Sequence, residues 1–407
     1  MSTAKLSDPL TLPCGVTLPN RIAKAAMSEH LASPIQSPTS GLVRLYERWS
    51  AGGAGLLITG NVMIDSTHLE GLRNVAVGPE SNIDRFRDWA TAGTTHGNHL
   101  WMQLNHPGRQ TPRHINPSPG APSAVEPVDL FRRAKAFGTP HAMDEAEIGQ
   151  VIRSFASAAS FAKTAGFTGV QVHGAHGYLA SQFLSPLTNK RSDRWGGPLD
   201  NRARFARTVL EEIRKAVGDD FPISIKLNSA DFQRGGFTEE ESMRVLGMLQ
   251  EDGIDLVEIS GGSYESRVML DKVEKEREAF FLEYAKKARA EVDIPMMVTG
   301  GFRARSIMED ALASGALDIV GMARPFTNDP NVARDLLEGR TERALDPPPL
   351  LMLGLSRLGG TSQAMMSVAQ MGLLAKGKSP ALRFGGIGAA LGALVEEIAS
   401  LFQPKQS

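Results

Sequence analysis

Cysteine is almost absent from this chain. Cys14 is the single cysteine among 407 residues, and one thiol forms neither an intrachain disulfide nor the four-thiolate ligand set of an iron–sulfur cluster. The sequence therefore excludes a disulfide-stapled secreted scaffold and an internal iron–sulfur relay. This composition fits a reducing compartment.

Charge of one sign and long hydrophobic runs are also missing. The formal net charge is −1, which gives no electrostatic footprint for nucleic acid and no acidic tail. Residues 1–5 lack the apolar region of a signal peptide. The longest apolar-leaning stretch, 358–375, is interrupted by Gly, Thr, Ser and Gln, so it falls short of a membrane span. With 42% hydrophobic and 22% charged residues, we expect a soluble protein in the cytoplasm.

The sequence does contain a regular alternation of short apolar runs and longer segments of helical period. Eight runs rich in branched apolar residues are predicted as strands: 21–26, 56–59, 100–104, 169–173, 223–227, 256–260, 295–299 and 319–322. Eight segments are predicted as helices: 42–51, 83–96, 144–165, 200–217, 239–252, 280–291, 306–314 and 332–338. The strand candidates are mostly apolar throughout, which is typical of parallel strands covered on both faces.

Eight β–α units in this order predict a single (β/α)8 TIM barrel, because eight is the number of units that closes such a barrel. We place the barrel at residues 1–345, with an N-terminal β-hairpin and a long proline-rich loop, 105–141, after the third barrel strand. Residues 346–407 are predicted to form a C-terminal helical extension. A doubly wound sheet is the alternative, but no G-x-G-x-x-G motif comes after a strand.

The extension contains an amphipathic run at helical spacing: Ile387, Leu391, Leu394, Ile398 and Leu401. This run either packs on its own barrel or joins two copies of the chain, so a homo-oligomer through the extension is one of two expectations. Residues 372–379 match the phosphate-binding pattern G-x-x-x-x-G-K-[ST], which works only between a strand and a helix. Because a predicted helix precedes this stretch and Pro380 comes directly after it, we expect no nucleotide there.

The strand ends carry the chemistry, because the active site of a (β/α)8 barrel lies at the C-terminal ends of its strands. The seventh strand ends at Gly300-Gly301, and Arg324 comes after the eighth. Glycines let backbone N–H groups approach an anion, and arginine adds a forked cation. We therefore expect a phosphate site there, with a simple glycine turn as the alternative.

Gln103 on the third strand and Lys226 on the fifth are predicted to point into the middle of the pocket. A buried lysine needs an anion nearby. An amide beside a cation suits a ring that gains negative charge, as a flavin does at its pyrimidine edge. A salt bridge between Lys226 and a carboxylate is the competing interpretation.

The fourth strand leads into His173, His176 and Tyr178. Two histidines so spaced can donate hydrogen bonds to one carbonyl oxygen, and a tyrosine can supply a proton. Imidazoles also bind zinc and iron, but no carboxylate ends a strand where it would be the third ligand. Two hydrogen-bonded core histidines are a further alternative.

These strand ends belong to several motifs. Residues 171–197 read QVHGAHGYLASQFLSPLTNKRSDRWGG, and Asn201-Arg202 lies shortly after them. L-P-N-R-I spans 18–22, Q-L-N-H-P-G-R spans 103–109 and G-M-A-R-P spans 321–325. In these motifs the chain closely resembles the Old Yellow Enzyme family of NADH:flavin oxidoreductases, over roughly residues 5–345.

The resemblance implies FMN bound non-covalently at the top of the barrel. Four residues would lie along the flavin ring: Ala26, Met27, Ser28 and Asn61. Two would contact its pyrimidine: Gln103 and Lys226. Four would hold its phosphate: Gly300, Gly301, Ala323 and Arg324. His173 and His176 would bind the activating oxygen of the substrate, and Tyr178 would protonate its Cα.

The chain departs from the family pattern in three respects. Ser28 stands where members often carry Thr or Cys, so it keeps a hydroxyl but gives up sulfur. Lys226 stands where many members have Arg, so it keeps the positive charge but lacks the paired N–H donors of a guanidinium group. Larger relatives add a cysteine cluster and a second dinucleotide domain, whereas this chain has a single cysteine and a short tail. We expect a stand-alone reductase.

The resemblance predicts an FMN-dependent NAD(P)H oxidoreductase that acts as an ene-reductase. NAD(P)H would reduce FMN and leave, and an α,β-unsaturated carbonyl or a nitroalkene would then accept hydride at Cβ in the same place, so the kinetics should be ping-pong. The alternatives are another FMN barrel dehydrogenase, a metal-dependent barrel hydrolase using His173 and His176, and a non-catalytic flavin-binding protein. The sequence favours neither NADH nor NADPH.

Overall fold

The strands form one barrel and two short pairs in the computed structural model, which describes residues 4–127, 135–261, 281–345 and 359–381. The strands in chain order are β1 (Leu10–Thr11), β2 (Thr17–Leu18), β3 (Ile22–Lys24), β4 (Leu56–Met63), β5 (His99–Asn105), β6 (Gly120–Ala121), β7 (His141–Ala142), β8 (Gly169–Gly174), β9 (Ile223–Asn228), β10 (Leu256–Ser260), β11 (Met296–Thr299) and β12 (Ile319–Met322). Strands β1 and β2 form an antiparallel hairpin, and β6 pairs with β7 in the loop after β5.

Helices connect the barrel strands and cover the outside of the barrel. In chain order they are α1 (Ser40–Ser50), α2 (Ile83–Thr94), α3 (Glu145–Ala165), α4 (Leu179–Leu184), α5 (Leu199–Val217), α6 (Glu239–Glu251), α7 (Leu282–Arg289), α8 (Arg305–Ala313), α9 (Pro325–Asn328), α10 (Val332–Leu337) and α11 (Gly359–Ala375). Several begin with a side-chain cap. Asp144, for example, forms a reciprocal capping box with Glu147 at the start of α3, which satisfies two backbone donors that the helix itself leaves open.

The eight parallel strands close into a ring in the order β3, β4, β5, β8, β9, β10, β11 and β12. Closure is made where β12 pairs with β3, with Val320 opposite Ile22 and Met322 opposite Lys24. The (β/α)8 barrel is therefore confirmed, and the doubly wound sheet is wrong, because an open sheet has two unpaired edges. No helix within the described residues is both long and apolar enough to cross a membrane.

The hairpin β1–β2 fills the N-terminal end of the barrel. Leu10, Leu12 and Leu18 are buried there and pack in one cluster with barrel residues such as Leu56 and Trp101. Full burial of a leucine side chain contributes about 1.5–3 kcal/mol, so the hairpin is a stable closure. The open end of the barrel is therefore the opposite one, where the strands finish.

Strand β4 extends beyond its predicted end at Thr59, and its pairing with β5 shifts register between Ile58 and Asn61. The Gly60 N–H donates to Glu29 Oε1 at 2.8 Å, and a Cβ on Gly60 would lie 1.9 Å from the other oxygen of that carboxylate. The irregularity therefore arises because a buried glutamate packs directly on the strand. A Gly-Asn pair is typical of a turn in the sequence, which explains the early predicted end.

The described part of the C-terminal extension packs on the barrel of the same chain. Helix α11 contacts α1 and α9, and Arg44 Nη1 donates to the Ala375 carbonyl at 2.6 Å. Residues 372–379, which match the phosphate-binding pattern, begin inside α11 rather than after a strand. The helix predicted to precede this stretch is therefore present. The amphipathic run Ile387 to Leu401 and the boundary at residue 346 lie outside the described residues.

Candidate active site

The predicted site residues meet at the C-terminal end of the barrel because their strands are neighbours in register. Gln103 on β5 pairs with Asn61 on β4 on one side. Lys226 on β9 pairs with His173 on β8. Because the strands are parallel and close into a barrel, their C-terminal ends meet at one end, and side chains from neighbouring strands can face one pocket there.

The floor of the pocket is a chain of buried polar side chains. Gln103 Nε2 donates to Gln171 Oε1 at 2.7 Å, and Gln171 Nε2 donates to Glu258 Oε2 at 3.0 Å. Lys226 Nζ lies 3.0 Å from Glu258 Oε1, with side-chain exposures of 5% and 0%. Lys226 thus forms the salt bridge of the competing interpretation, and its charge at the pocket floor is balanced by a buried carboxylate. Its contact with a flavin stays a prediction.

Sequence reasoning missed Glu258 and Gln171. Both lie in the interior of barrel strands, β10 and β8, rather than at their ends. A glutamate inside the otherwise apolar run Leu-Val-Glu-Ile-Ser was the available signal, because a buried charge needs a partner.

His173 in β8 and His176 and Tyr178 just after it form one aromatic cluster, in which His173 and Tyr178 are buried and His176 is partly buried. The two imidazole rings are 5.1 Å apart, and the His173 and Tyr178 rings are 4.7 Å apart, both edge to face. The backbone of His176 adopts a left-handed conformation, with φ of +60°. Its N–H donates to Asn228 Oδ1 at 3.2 Å and its carbonyl accepts from Gln110 Nε2 at 3.2 Å, which holds this unusual turn.

Both imidazoles of this cluster are neutral near pH 7. Burial, and next the positive charge of Lys226, lowers the pKa of His173 and of His176 well below the usual value. His173 Nδ1 accepts from the Ala175 N–H at 3.3 Å, so the proton of this ring is on Nε2. His176 Nε2 shares a hydrogen bond with Ser260 Oγ at 2.8 Å. Neutral N–H donors at fixed positions are suited to bind a developing oxyanion.

Glu70 is a second residue that sequence reasoning missed. It lies in the loop after β4, and its Oε1 accepts from Tyr178 Oη at 2.7 Å. Its Oε2 accepts from Ser28 Oγ and from Asn61 Nδ2, both at 2.8 Å. No periodicity or motif marks this position, because an irregular loop sets it.

The predicted phosphate residues lie together after β11 and β12. Gly300 and Gly301 have φ values of +139° and +86°, which L side chains rarely adopt. Thr299 pairs with Gly321 across the two strands, so Gly300-Gly301 and Arg324 come after the ends of two neighbouring strands. A Cβ on Gly300 would also lie 3.3 Å from the Phe281 ring. A glycine backbone beside an arginine fits the single phosphate of FMN.

The remaining predicted cofactor residues lie close to the end of β12. The Ala25 N–H donates to the Met322 carbonyl at 2.8 Å, so the segment Ala26 to Ser28 runs beside Ala323. This segment and Ala323 are partly rather than fully buried. Together with the amide of Gln103 and the cation of Lys226 they make an elongated site that could hold a flavin ring at one end and its phosphate at the other.

The described residues contain one group that could hold a metal ion, and it includes neither His173 nor His176. Asp65, His68 and His106 place their ligand atoms within 4.8 Å of one another. A histidine ligand normally donates its second ring N–H to an acceptor. Here His68 Nε2 faces the Gly120 N–H at 3.4 Å and His106 Nδ1 accepts from the Gly108 N–H at 3.1 Å. This group is therefore better described as a hydrogen-bonded loop anchor.

Comparisons with known proteins identify a family for this chain. The model of the NADH:flavin oxidoreductase / NADH oxidase family matches residues 5–343. The chain is 38% identical over 346 residues to the NADH-dependent flavin oxidoreductase nadA of Aspergillus parasiticus, covering 81% of this chain and 77% of that protein. It is 35% identical over 363 residues to the NADH-dependent flavin oxidoreductase iliE of Hypocrea jecorina, covering 83% and 90%.

Solved structures show the same barrel. A 2-naphthoyl-CoA reductase complex superposes with a TM-score of 0.77 at 29% identity, covering 82% of this chain. This chain spans only about half of that protein, at 52% of its length. Morphinone reductase superposes with a TM-score of 0.72 at 24% identity, covering 85% of this chain and 92% of its own, and this likeness is one of fold.

Proposed function

This chain belongs to the NADH:flavin oxidoreductase / NADH oxidase family, the Old Yellow Enzyme family, and on that premise we propose that it is an ene-reductase. It is an FMN-dependent oxidoreductase that uses NAD(P)H as reductant. The proposed acceptor is an α,β-unsaturated carbonyl compound or a nitroalkene, which receives hydride at Cβ. Three relatives that are 35–38% identical to this chain are described as NADH-dependent, whereas a relative that is 28% identical is described as an NADPH dehydrogenase. The proposed donor is therefore NADH.

The observation that carries the proposal is the neutral histidine pair beside a tyrosine. A carbonyl or nitro oxygen that accepts hydrogen bonds from His173 and His176 gains negative charge when hydride arrives at Cβ, and the two imidazoles stabilise that charge. Because the pKa of each imidazole is low, both rings are neutral, and each can donate a hydrogen bond through its one N–H without losing the proton. Tyr178, 4.7 Å from His173 between ring centres, is the proposed proton donor to Cα.

The cofactor residues have complementary proposed roles. Bound FMN supplies the hydride chemistry that links the nicotinamide to the alkene. Gly300, Gly301, Ala323 and Arg324 would bind its phosphate. Gln103 and Lys226 would contact the pyrimidine, while Ala26, Met27, Ser28 and Asn61 would lie along the ring. Because Glu258 balances Lys226, the floor would offer the pyrimidine a hydrogen-bonding dipole rather than a full positive charge.

An anaerobic half-reaction experiment tests this function. The FMN-loaded protein is reduced with one equivalent of NADH, and cyclohexenone is then added while the visible flavin absorption is followed. We expect rapid return of oxidised flavin and formation of cyclohexanone. Cyclohexanone itself, which has no activated alkene, is the control and should leave the flavin reduced. A flavin that oxygen reoxidises but cyclohexenone and nitroalkenes do not would show that the chain is a flavin enzyme of another specificity.

A further inference from the structure

The Glu70 carboxylate contacts three side chains of the site at once. Tyr178 Oη donates to its Oε1 at 2.7 Å, and Ser28 Oγ and Asn61 Nδ2 each donate to its Oε2 at 2.8 Å. Asn61 lies in β4, and Ser28 and Tyr178 lie in the segments that come after β3 and β8, whereas Glu70 itself is on the loop after β4. Hydrogen bonds to an ionised acceptor are roughly twice as strong as neutral ones, so this carboxylate is firmly held against the proposed proton donor.

The loop is fixed on both sides of Glu70. Before it, His68 Nδ1 lies 2.7 Å from Asp65 Oδ2. After it, the Gly71 N–H donates to Asn74 Oδ1 at 2.7 Å, and Asn74 is buried. The conformation of this loop therefore positions the Glu70 carboxylate at Tyr178.

Exposure differs between the two partners. Tyr178 is only 3% exposed, whereas Glu70 is partly exposed. A tyrosine that gives its proton to carbon must recover a proton before the next turnover. Because Tyr178 has little direct contact with water, a partly exposed acid hydrogen-bonded to its oxygen offers the shortest route.

We infer that Glu70 carries the returning proton from solvent to Tyr178, an inference that rests on the proposed function. When the Tyr178 O–H bond breaks, a C–H bond forms at Cα and a tyrosinate remains. Glu70 takes one proton from water, passes it to the tyrosinate oxygen and becomes a carboxylate again. Each turnover thus consumes one solvent proton. Glu70 touches no substrate in this scheme, so it is a positioning residue that acts through Tyr178.

The test compares two acceptors on the FMN-loaded full chain under steady-state turnover. Glu70→Gln keeps the size of the side chain but removes the proton-carrying group, and Glu70→Ala removes both. We expect cyclohexenone turnover to fall roughly 10- to 100-fold, less than the 10²–10⁴-fold typical of a direct general acid. Nitroalkene consumption should stay within about twofold, because a nitronate is stable enough to leave without a proton from the protein. Glu80→Ala, at an exposed glutamate of the same loop, is the matched control.

Two further readouts separate a proton path from a structural role. Formate should restore much of the lost cyclohexenone turnover to Glu70→Ala, because a small acid can enter the vacated space. In a Tyr178→Phe background, Glu70→Ala should have no further effect. If Glu70→Ala loses its FMN, the Glu70→Gln variant decides.

Several results would overturn the inference. Wild-type turnover in both Glu70 variants would do so, as would equal losses with cyclohexenone and the nitroalkene, or a loss that formate does not restore and that Tyr178→Phe does not mask. A different failure is recognised in the wild-type protein. If its reduced flavin is reoxidised by neither acceptor, the proposed function is wrong and the proton path falls with it.

Discussion

Two histidine pairs lie at the open end of the barrel, and they differ in what their ring nitrogens bind. His173 accepts from a neighbouring backbone N–H and His176 shares a hydrogen bond with a serine hydroxyl. Both rings belong to a cluster with Tyr178, and His173 pairs in register with Lys226 on the next strand. In the second pair, whose rings are 4.4 Å apart, His106 Nδ1 also accepts a backbone N–H, that of Gly108. The pairs differ in the other ring, because His68 is bonded to the Asp65 carboxylate and faces the Gly120 N–H, whereas His176 shares a hydrogen bond with a serine hydroxyl.

On the proposed function, the partners of His176 and His68, rather than the spacing of the histidines, distinguish the two pairs. A ring bonded to Asp65 and to backbone groups fastens one loop to another. A neutral ring beside a tyrosine at a strand end has a donor to offer a ligand. Four experiments test this contrast, in decreasing order of the effect we expect.

Tyr178→Phe should produce the largest loss. Cyclohexenone reduction needs a proton at Cα, and general acids typically contribute about 10²–10⁴-fold, so reoxidation by cyclohexenone should slow by that factor. Flavin reduction by NADH needs no proton from this tyrosine and should be nearly unchanged. Stopped-flow absorbance of the two half-reactions measures both rates. Equal slowing of the two would mean that Tyr178 is a packing residue only.

His176→Ala should have the next largest effect. Loss of one donor to a developing oxyanion costs about 2.7–4 kcal/mol in transition-state stabilisation, so alkene reduction should fall by about 10²–10³-fold while FMN stays bound. Para-substituted phenols, which should bind the wild-type protein with a long-wavelength charge-transfer band, should lose that band. His68→Ala should keep the band. Loss of the band in both variants would erase the proposed distinction between the pairs.

His106→Asn should change the pH dependence of stability rather than the chemistry. Burial, followed by the nearby His68, lowers the pKa of His106 from 6.5 to about 3. Between these values the unfolded chain binds a proton that the folded chain does not, so stability falls as pH drops below 6.5, by up to about 1.4 kcal/mol per pH unit for this one group. Asparagine can still accept from the Gly108 N–H. Urea unfolding at several pH values should show a shallower acid loss in the variant, and an identical slope would contradict the assignment.

The smallest effect concerns metal. Because the second ring nitrogens of His68 and His106 face backbone N–H groups, Asp65, His68 and His106 should not bind zinc tightly. Addition of zinc at an equimolar concentration should leave the melting temperature unchanged, and chelators should have no effect on turnover. A melting temperature that rises with zinc in the wild-type protein, but not in His68→Ala, would restore the metal interpretation of this pair.

The sequence predicted the barrel and the strand-end residues because both depend on periodicity. Buried parallel strands are continuous apolar runs, and the residues just after each run face the open end. Because His173 and Lys226 lie near the ends of their predicted strands and Arg324 lies just after one, the sequence alone could place these three residues at one end of the barrel. Their partners could not be placed in this way. Glu258 was hidden inside a strand, where only its charge marked it.

Glu70 illustrates the harder case. Its position depends on the loop path fixed by Asp65, His68 and Asn74, and those contacts join residues of types that occur in any polar loop. The early end predicted for β4 has a similar origin, since the carboxylate of Glu29 packs against Gly60 from a different segment of the chain. Such contacts join irregular segments that are far apart in the chain. They depend on the tertiary structure, and no pattern in a single sequence predicts them.

The leucine hairpin at the N-terminal end of the barrel has a kinetic consequence. With that end filled by Leu10, Leu12 and Leu18, nicotinamide and alkene would, on the proposed function, reach the site from the same side. An alkene that enters before the flavin has been reduced would then form a dead-end complex and keep the nicotinamide out. At fixed NADH the rate should therefore pass through a maximum and decline as the alkene concentration increases, and additional NADH should relieve this substrate inhibition competitively.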